Sequence, residues 1–407
     1  MNKYLKHFLV FIVPTIIFLL PQTWIPLDGI TIVEQRVIAI FIFAALSWIL
    51  EPIPIHATSV TIITLELILI SDKGLRWLIT GYDTAHFGKL LPYTQIMATF
   101  ASPIILLFLG GFFLAVSAHK YGLDKTLARL LLKPFGSRPS TLMLGMMAIT
   151  ATFSMFMSNT ATTAMMISIL TPIFGFIDPE DKIKTGFALS IPIAANLGGI
   201  ATPIGTPPNA IAMRYLIGEH AVSFLQWMLF GIPFVITLLL IAWTMLRYLY
   251  PSQQKEIRIA IPKNSDKKTY HTYIVYSTFW ITLILWFTDF WHGLNASTVA
   301  MIPVAVFSAT GVISKDDLKY LSWDVLWLVA GGIAIGDALE ASGLAARIID
   351  NIPFEEMPAL LIAIAFGILT LFMANFMSNT ATTNLIMPLA VALGASLPSL
   401  QLIGGLK

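Results

Sequence analysis

The sequence contains no cysteine and few charged residues. The absence of cysteine excludes disulfide bonds, thiol catalysis and cysteine-ligated metal sites. Charged residues make up only 11% of the 407 residues, whereas a soluble domain, whose surface must be wetted, contains about 25%. Because 57% of the residues are hydrophobic, most of the chain is expected to lie in a lipid bilayer. The net charge of +2 is too small and too dispersed to indicate nucleic-acid binding.

Eleven apolar stretches follow one another along the chain. Two of them, about 141–176 and 358–396, are too long for one membrane crossing, for which roughly 20 residues suffice. The other nine lie at about 7–24, 37–50, 57–70, 97–118, 184–217, 223–247, 273–291, 296–313 and 325–341. No small-residue cleavage site follows the first stretch, so 1–31 is expected to hold a transmembrane helix rather than a signal peptide. The sequence therefore predicts an all-α polytopic membrane protein.

The octapeptide FMSNTATT occurs near the middle of both overlong stretches, at Phe156–Thr163 and Phe376–Thr383. Upstream of each copy a second pattern repeats at nearly the same spacing, with Gly110-Gly111 matching Gly331-Gly332. Glycine and small-residue motifs are common in membrane helices, but an identical octapeptide with a matching upstream segment favours a true repeat. The distribution of Lys and Arg gives the two units opposite orientations. The sequence therefore predicts an inverted-topology repeat with two re-entrant helical hairpins.

The expected organisation follows from this repeat. The first inverted repeat covers 32–250, with its hairpin at about 141–176 and a broken helix at about 184–217. A hydrophilic linker at 251–270, rich in Lys and Arg, is expected to be cytoplasmic. The second repeat covers 271–407, has its hairpin at about 358–396 and is expected to be incomplete.

Each octapeptide places Ser, Asn and Thr where one hydrophobic helix is expected to end and another to begin. Their oxygen atoms cap helices well, and non-helical backbone survives at membrane depth only where it is shielded by protein or lines a cavity. Ser158-Asn159-Thr160 and Ser378-Asn379-Thr380 would then start two half-helices whose positive dipole ends face an anion. One such cluster alone could simply hold helices together. Its presence in two copies favours a binding site for an anion with two carboxylates.

A second motif, TPIGTPPN at Thr202–Asn209, interrupts a later apolar stretch. Pro207-Pro208 lacks N–H donors and clashes with the preceding turn, so the helix is expected to break there. The break would free carbonyls near Ile204 and Gly205 and place the Thr206 hydroxyl and the Asn209 amide beside them. Such oxygen atoms suit an alkali cation. A simple proline kink is the alternative.

Charged side chains are rare in these motifs. Neither octapeptide nor the proline motif contains Lys, Arg or His, and a helix end supplies only about half a charge. A multiply charged anion would therefore need bound cations, which predicts cation-coupled binding. No His pair has metal-ligand spacing, so no transition metal and no other cofactor is expected. Four acidic residues in or beside apolar stretches could form a proton relay, but we favour interfacial placement or pairing with Lys or Arg: Glu51, Glu66, Asp337 and Glu340.

Two SNT motifs in an inverted repeat, with a TPPN-type helix break after the first, resemble the divalent anion:sodium symporter family over nearly the whole chain. The resemblance implies an elevator-type ion transporter fold and a homodimer. His119–Phe135 and Ser342–Phe354 resemble the arm helices that link its two domains. By resemblance, substrate carboxylates would contact Asn159, Thr160, Thr206, Pro207, Ser378, Asn379 and Thr380. Sodium would be held at one site by Ser154, Ser158, Asn159 and Gly205, and at a second site by Ala374 and Asn379.

The second unit departs from this pattern in two respects. Ala374 stands where the first copy has Ser154, so a backbone carbonyl would replace a hydroxyl group. The second helix break is expected about 46 residues after Thr380, which is beyond Lys407. We therefore expect that the chain is a fragment, or that its second sodium site is incomplete.

The resemblance implies a secondary transporter that takes up a small divalent anion with sodium across a bacterial cytoplasmic (inner) membrane. The expected substrate is a C4-dicarboxylate such as succinate, malate or fumarate. An anion exchanger or a sulfate or citrate transporter of the same fold is the alternative. A membrane-embedded enzyme is disfavoured because the octapeptides offer hydroxyl groups without a neighbouring base. A channel is disfavoured because inverted repeats with a broken helix favour alternating access.

Overall fold

The computed structural model describes residues 3–79, 84–178, 180–216, 221–257, 269–351 and 357–396, without the side chains of residues 84, 85, 395 and 396. Within these ranges the chain is helical, with an isolated β-bridge between Ser71 and Leu91. The helices are α1 Lys3–Leu19, α2 Ile32–Leu50, α3 Ile55–Leu69, α4 Arg76–Ile79, α5 Thr84–Phe87, α6 Tyr93–Ala98, α7 Pro103–Lys120, α8 Leu123–Leu132, α9 Pro139–Ser154, α10 Asn159–Phe174, α11 Ile183–Gly199, α12 Pro207–Tyr215, α13 Phe224–Leu249, α14 Tyr270–Phe287, α15 Asp289–His292, α16 Ala296–Ala309, α17 Trp323–Ser342, α18 Leu344–Asp350, α19 Ala359–Ala374 and α20 Asn379–Ser396.

Several of these helices can cross a membrane. Among the described residues, four segments are long and apolar enough: Ile32–Leu50, Tyr93–Lys120, Phe224–Leu249 and Trp323–Ser342. Each overlong stretch forms two shorter helices instead. Helices α9, α10 and α19 have 16 residues each, or about 24 Å at 1.5 Å per residue, against a hydrocarbon core of about 30 Å. The all-helical prediction is confirmed, and this length suits re-entrant hairpins, whose insertion from opposite sides stays a prediction.

The contacts divide the chain into two compact units, and the first comprises Leu106–Ser322. Its largest hydrophobic core lies among α9, α10, α11 and α13 and includes Met143, Met166 and Phe187. Helix α11 approaches α9 so closely that a Cβ atom at Gly198 would overlap the backbone of Ala151. This packing places the first hairpin directly beside the helix that precedes the proline motif.

The second unit comprises Met1–Ile105 and Trp323–Lys407. Here α17 packs against α3 and α20. A Cβ atom at Gly331 would lie 2.5 Å from the Cβ atom of Ser59, and Gly332 leaves space for the side chain of Asn384. The predicted repeats at 32–250 and 271–407 rest on sequence similarity rather than on contacts, and their boundaries stay a prediction.

Glycine residues break the helices at matching points of the two repeats. Gly122, with φ +67°, separates α7 from α8, and Gly343, with φ +83°, separates α17 from α18. Both residues adopt the left-handed conformation that glycine tolerates best. The expected arm at His119–Phe135 therefore begins with the last residues of α7 and continues, after the break at Gly122, as α8 from Leu123. The expected arm at Ser342–Phe354 contains α18, while residues 352–356 and residues 258–268 of the linker lie outside the described residues.

The four acidic residues differ in their surroundings. Glu51 is exposed at the end of α2, and Glu340 is exposed on α17. Asp337, also on α17, is half-buried. Glu66 is fully buried within α3, and neither carboxylate oxygen has a hydrogen-bond partner among the described residues. The expectation of interfacial placement or of pairing with Lys or Arg is therefore wrong for Glu66, because α3 turns this side chain into the protein.

Candidate functional site

The first octapeptide forms the tip of a helical hairpin. Helix α9 ends at Ser154, and α10 begins at Asn159. Ser158 has extended backbone angles, and its Oγ accepts a hydrogen bond from the Ala161 N–H at 3.2 Å. Serine is favoured at this position because its hydroxyl satisfies an N–H that has no partner within the helix. The predicted start of a helix at this SNT motif is thus confirmed, while its position at membrane depth stays a prediction.

The Asn159 side chain lies at the centre of a polar network at this tip. Ser154 Oγ donates to Asn159 Oδ1 at 2.7 Å, and Asn159 Nδ2 donates to Asn196 Oδ1 at 3.1 Å. Ser154 is fully buried, and Asn159 is half-buried. Asn196, on α11, is missing from the predicted site. The signal that could have identified it is an isolated amide in an apolar stretch, two residues before Gly198-Gly199.

The helix break lies upstream of the prolines rather than at them. Helix α11 ends at Gly199, and α12 begins at Pro207. The expected break within TPIGTPPN is present, and it covers Ile200–Thr206, the segment directly before the two prolines. The two prolines occupy the first turn of α12, where a missing N–H removes no helical hydrogen bond. The Asn209 amide closes the break by donating to the carbonyls of Gly199 at 2.9 Å, Ile200 at 3.2 Å and Thr202 at 2.8 Å.

Thr202 joins this break to the hairpin tip. Its Oγ1 donates to the Met155 carbonyl and accepts a hydrogen bond from the Gly205 N–H at 3.1 Å. Gly199 has no side chain, which leaves space between the hairpin tip and the helix break. A Cβ atom at Gly199 would lie 2.8 Å from Asn159 Oδ1 and 3.0 Å from the Gly205 carbonyl oxygen. The two oxygens therefore face the same point. An amide oxygen and a freed carbonyl in this arrangement can coordinate an alkali cation.

The remaining predicted residues of this unit lie around that point. Thr206 precedes α12 as its N-cap residue but makes no capping hydrogen bond with its side chain, and Pro207 is half-buried. Thr160 is exposed on the first turn of α10. No hydrogen bond among the described residues joins the Thr160 and Thr206 side chains. The structure thus brings together three of the predicted sodium ligands, Ser154, Asn159 and Gly205. The residues predicted to contact the substrate, Thr160 and Thr206, are not joined in this way within the described ranges.

The second octapeptide, in the other unit, has the same backbone geometry but different surroundings. Ser378 Oγ accepts from the Ala381 N–H at 3.2 Å, as in the first copy. Asn379 is exposed, and its amide has no hydrogen-bond partner among the described residues. Thr380 is buried. Ala374, at the end of α19, is half-buried and provides no hydroxyl group.

A cavity of about 690 Å³ lies beside the first tip. Ser158 lines it together with His119 and Lys120 of α7 and Asp317. Lys120 Nζ lies 2.5 Å from Asp317 Oδ2. Burial raises the pKa of Asp317, but hydrogen bonds from Lys120 and Ser314 outweigh this effect and lower the pKa to about 2. The cationic side chains absent from the motifs are therefore present in the wall of the adjoining cavity.

Comparison with known proteins identifies the family. Residues 8–403 match a family model described as "Citrate transporter". The chain belongs to the citrate transporter family. It is 31% identical to the "Sodium-dependent dicarboxylate transporter SdcS" of Staphylococcus aureus, with 94% of this chain and 76% of the relative covered. The Staphylococcus saprophyticus protein of the same name is also 31% identical, over 88% of this chain and 73% of the relative.

A more distant relative is the "Inorganic phosphate transporter PHO87" of Saccharomyces cerevisiae, which is 27% identical over 90% of this chain. The chain spans only 39% of the length of that protein. Because the citrate transporter family and these relatives are transporters, the chain is an integral membrane transporter and not an enzyme. The resemblance to sodium-coupled dicarboxylate transporters is confirmed at the level of the family.

Proposed function

We propose that this transporter takes up a small divalent anion together with sodium by an elevator-type alternating-access mechanism. The expected substrate is a C4-dicarboxylate such as succinate, malate or fumarate. The observation that carries the proposal is the convergence of Asn159 Oδ1 and the Gly205 carbonyl beside Gly199. Half-helix starts attract anions, and unwound carbonyls attract cations. One location therefore combines both requirements of a sodium-coupled anion carrier.

The names of the staphylococcal relatives support sodium and dicarboxylate as the pair of solutes. In the proposed arrangement, bound sodium compensates the charge of the anion, since neither tip contains a cationic side chain. Homodimer formation and insertion in a bacterial cytoplasmic membrane are part of this proposal. Sodium would be held by Ser154, Ser158, Asn159 and Gly205, and at a second site by Ala374 and Asn379. The anion would contact Asn159, Thr160, Thr206, Pro207, Ser378, Asn379 and Thr380.

The test is uptake of labelled succinate by proteoliposomes that contain the purified protein. An inward sodium gradient should drive accumulation, and an equal potassium gradient should not. Unlabelled malate and fumarate should compete more strongly than citrate, sulfate or phosphate. Uptake that persists without sodium would rule out sodium symport and leave exchange or proton coupling. A requirement for anion inside the vesicles would indicate an exchanger. Stronger competition by sulfate or citrate would reassign the substrate.

A further inference from the structure

Glu66 is a buried acidic residue for which the proposed transport mechanism has no role. It lies in α3, its relative exposure is 0%, and both of its carboxylate oxygens lack a hydrogen-bond partner among the described residues. Transferring an ionised carboxylate into an apolar environment without a partner is strongly unfavourable. The group must therefore be neutralised in this conformation.

The charged neighbour of Glu66 is a second acid. Helices α3 and α17 are in direct contact where Gly331 meets Ser59. Glu66 lies about two turns after Ser59 along α3, and Asp337 lies somewhat less than two turns after Gly331 along α17. Asp337 interacts electrostatically with Glu66, and two carboxylates that share one site repel each other when both are ionised. Two carboxylates at this position therefore favour the uptake of a cation.

The other charged groups on the helices that pack against α3 have partners elsewhere or are exposed. On α2, Glu34 accepts a hydrogen bond from Arg347 Nε at 2.8 Å. Arg36 donates to the carbonyls of Leu69 at 2.6 Å and Leu78 at 2.9 Å. The remaining titratable groups of α2, α3, α6 and α17 are exposed: Glu51, His56, Tyr93, Asp324 and Glu340.

The surroundings of Glu66 distinguish a proton from a metal ion. Sodium requires several oxygen ligands, as other hard cations do. The core beside Glu66 is instead aliphatic, with Ile62, Ile70, Ile335 and Ala338 among its buried members. A proton needs only the carboxylate itself, and binding it turns the ionised group into a neutral acid that an apolar core tolerates.

We propose that Glu66 is a proton-binding site of this transporter, separate from the two SNT tips. At neutral pH its carboxyl group holds one proton, which leaves a single negative charge, that of Asp337, on the Glu66–Asp337 pair within the α3–α17 interface. Loss of that proton leaves two negative charges at the interface. The packing of α17 against α3 is thereby linked to proton binding.

Infrared spectroscopy of the purified protein tests this proposal without relying on transport. At neutral pH, the wild-type spectrum minus that of Glu66→Gln should contain the C=O band of a protonated carboxylic acid, and this band should shift in D₂O. Glu340→Gln, which changes an exposed acid of α17, is the matched control and should remove only carboxylate bands. Glu66→Asp keeps a carboxyl group at this position and should retain an acid band at an altered frequency. If Glu66→Gln does not fold, the difference between the wild-type and Glu66→Asp spectra identifies the band instead.

Asp337→Asn separates proton binding from a merely structural role. Because it removes the opposing charge, the acid band of Glu66 should disappear at a higher proton concentration in this variant than in the wild type. Absence of the acid band from the wild-type protein at neutral pH would overturn the proposal. Disappearance of the band when sodium is added would also overturn it, because Glu66 would then belong to a metal-ion site.

Discussion

The two SNT tips make the same capping hydrogen bond and differ in the side chains around them. In both copies a serine hydroxyl accepts from the N–H three residues later at 3.2 Å. Asn159 is half-buried between Ser154 and Asn196, whereas Asn379 is exposed and follows a helix that ends in Ala374. An identical octapeptide thus produces an identical cap, but helix packing from elsewhere in the chain decides whether the asparagine is fixed in place. We infer that the first tip carries the better organised cation site.

The largest expected effect is that of removing the central amide of the first tip. Asn159→Ala should lower the affinity for succinate in sodium by about tenfold or more, because it removes a cation ligand and a hydrogen-bonding group together. Thr152→Ala is the control, since the exposed Thr152 hydroxyl bonds only the Ala148 carbonyl of its own helix. Isothermal titration calorimetry measures both variants. Equal losses in the two would show that α9 itself had been disturbed.

A methyl group at Gly199 probes the space between the tip and the break. Gly199→Ala would place a Cβ atom 2.8 Å from Asn159 Oδ1, tighter than such contacts allow. Sodium-dependent stabilisation against heat should therefore be lost or much reduced. Gly367→Ala, on α19 of the second hairpin, introduces the same methyl group into open space and should leave that stabilisation unchanged. Wild-type sodium dependence in Gly199→Ala would move the cation site away from this point.

Helices α9 and α19 end in different residues, Ser154 and Ala374, and each residue can be replaced by the other. Ser154→Ala gives the first tip the residue of the second, and should weaken the apparent sodium affinity several-fold through loss of the 2.7 Å hydrogen bond to Asn159. Ala374→Ser gives the second tip a hydroxyl group. It should change the sodium affinity less, because the Asn379 side chain is exposed and, in the part of the chain that the structure describes, is not part of a hydrogen-bond network like that of Asn159. Sodium titrations of succinate binding measure both. A larger effect at Ala374 would reverse the assignment.

The smallest effect concerns the ion pair in the cavity wall of the first tip. The folded-state pKa of Asp317 is about 2, below its ordinary 3.8, so the stability contributed by the carboxylate is complete above 3.8 and is lost as the pH falls towards 2. Asp317→Asn should remove this acid-dependent part and lower the melting temperature at neutral pH by a few degrees at most. Thermal unfolding in detergent at several pH values measures it. An unchanged acid profile would mean that Lys120 and Asp317 do not interact in solution.

Much of the fold could be predicted from the sequence because apolar stretches and helix-capping residues are local features of the chain. The hairpin expected at about 141–176 consists of α9 and α10, and Ser158 caps the second helix as its residue type predicts. The broken helix expected at about 184–217 consists of α11 and α12, at Ile183–Gly199 and Pro207–Tyr215. The prolines start α12, and the break precedes them at Ile200–Thr206 because the Asn209 amide stabilises the carbonyls there.

Other features depend on helix packing, which apolar stretches do not encode individually. Asn196 reaches Asn159 from 37 residues away only because α11 lies beside the hairpin. The burial of Glu66 likewise depends on which face α3 turns towards α17. In a helix that is apolar all round, the hydrophobic pattern does not identify that face. The sequence therefore predicted the elements and the tips, while their polar partners required the tertiary structure.

The central claim is that the first tip binds sodium and anion as one site. Its most direct test is calorimetric titration of succinate into the purified protein in sodium and in potassium, with Asn159→Ala measured alongside. We predict binding by the wild type in sodium only, and little binding by the variant in either salt. Equal binding of succinate in both salts, retained in Asn159→Ala, would contradict the account.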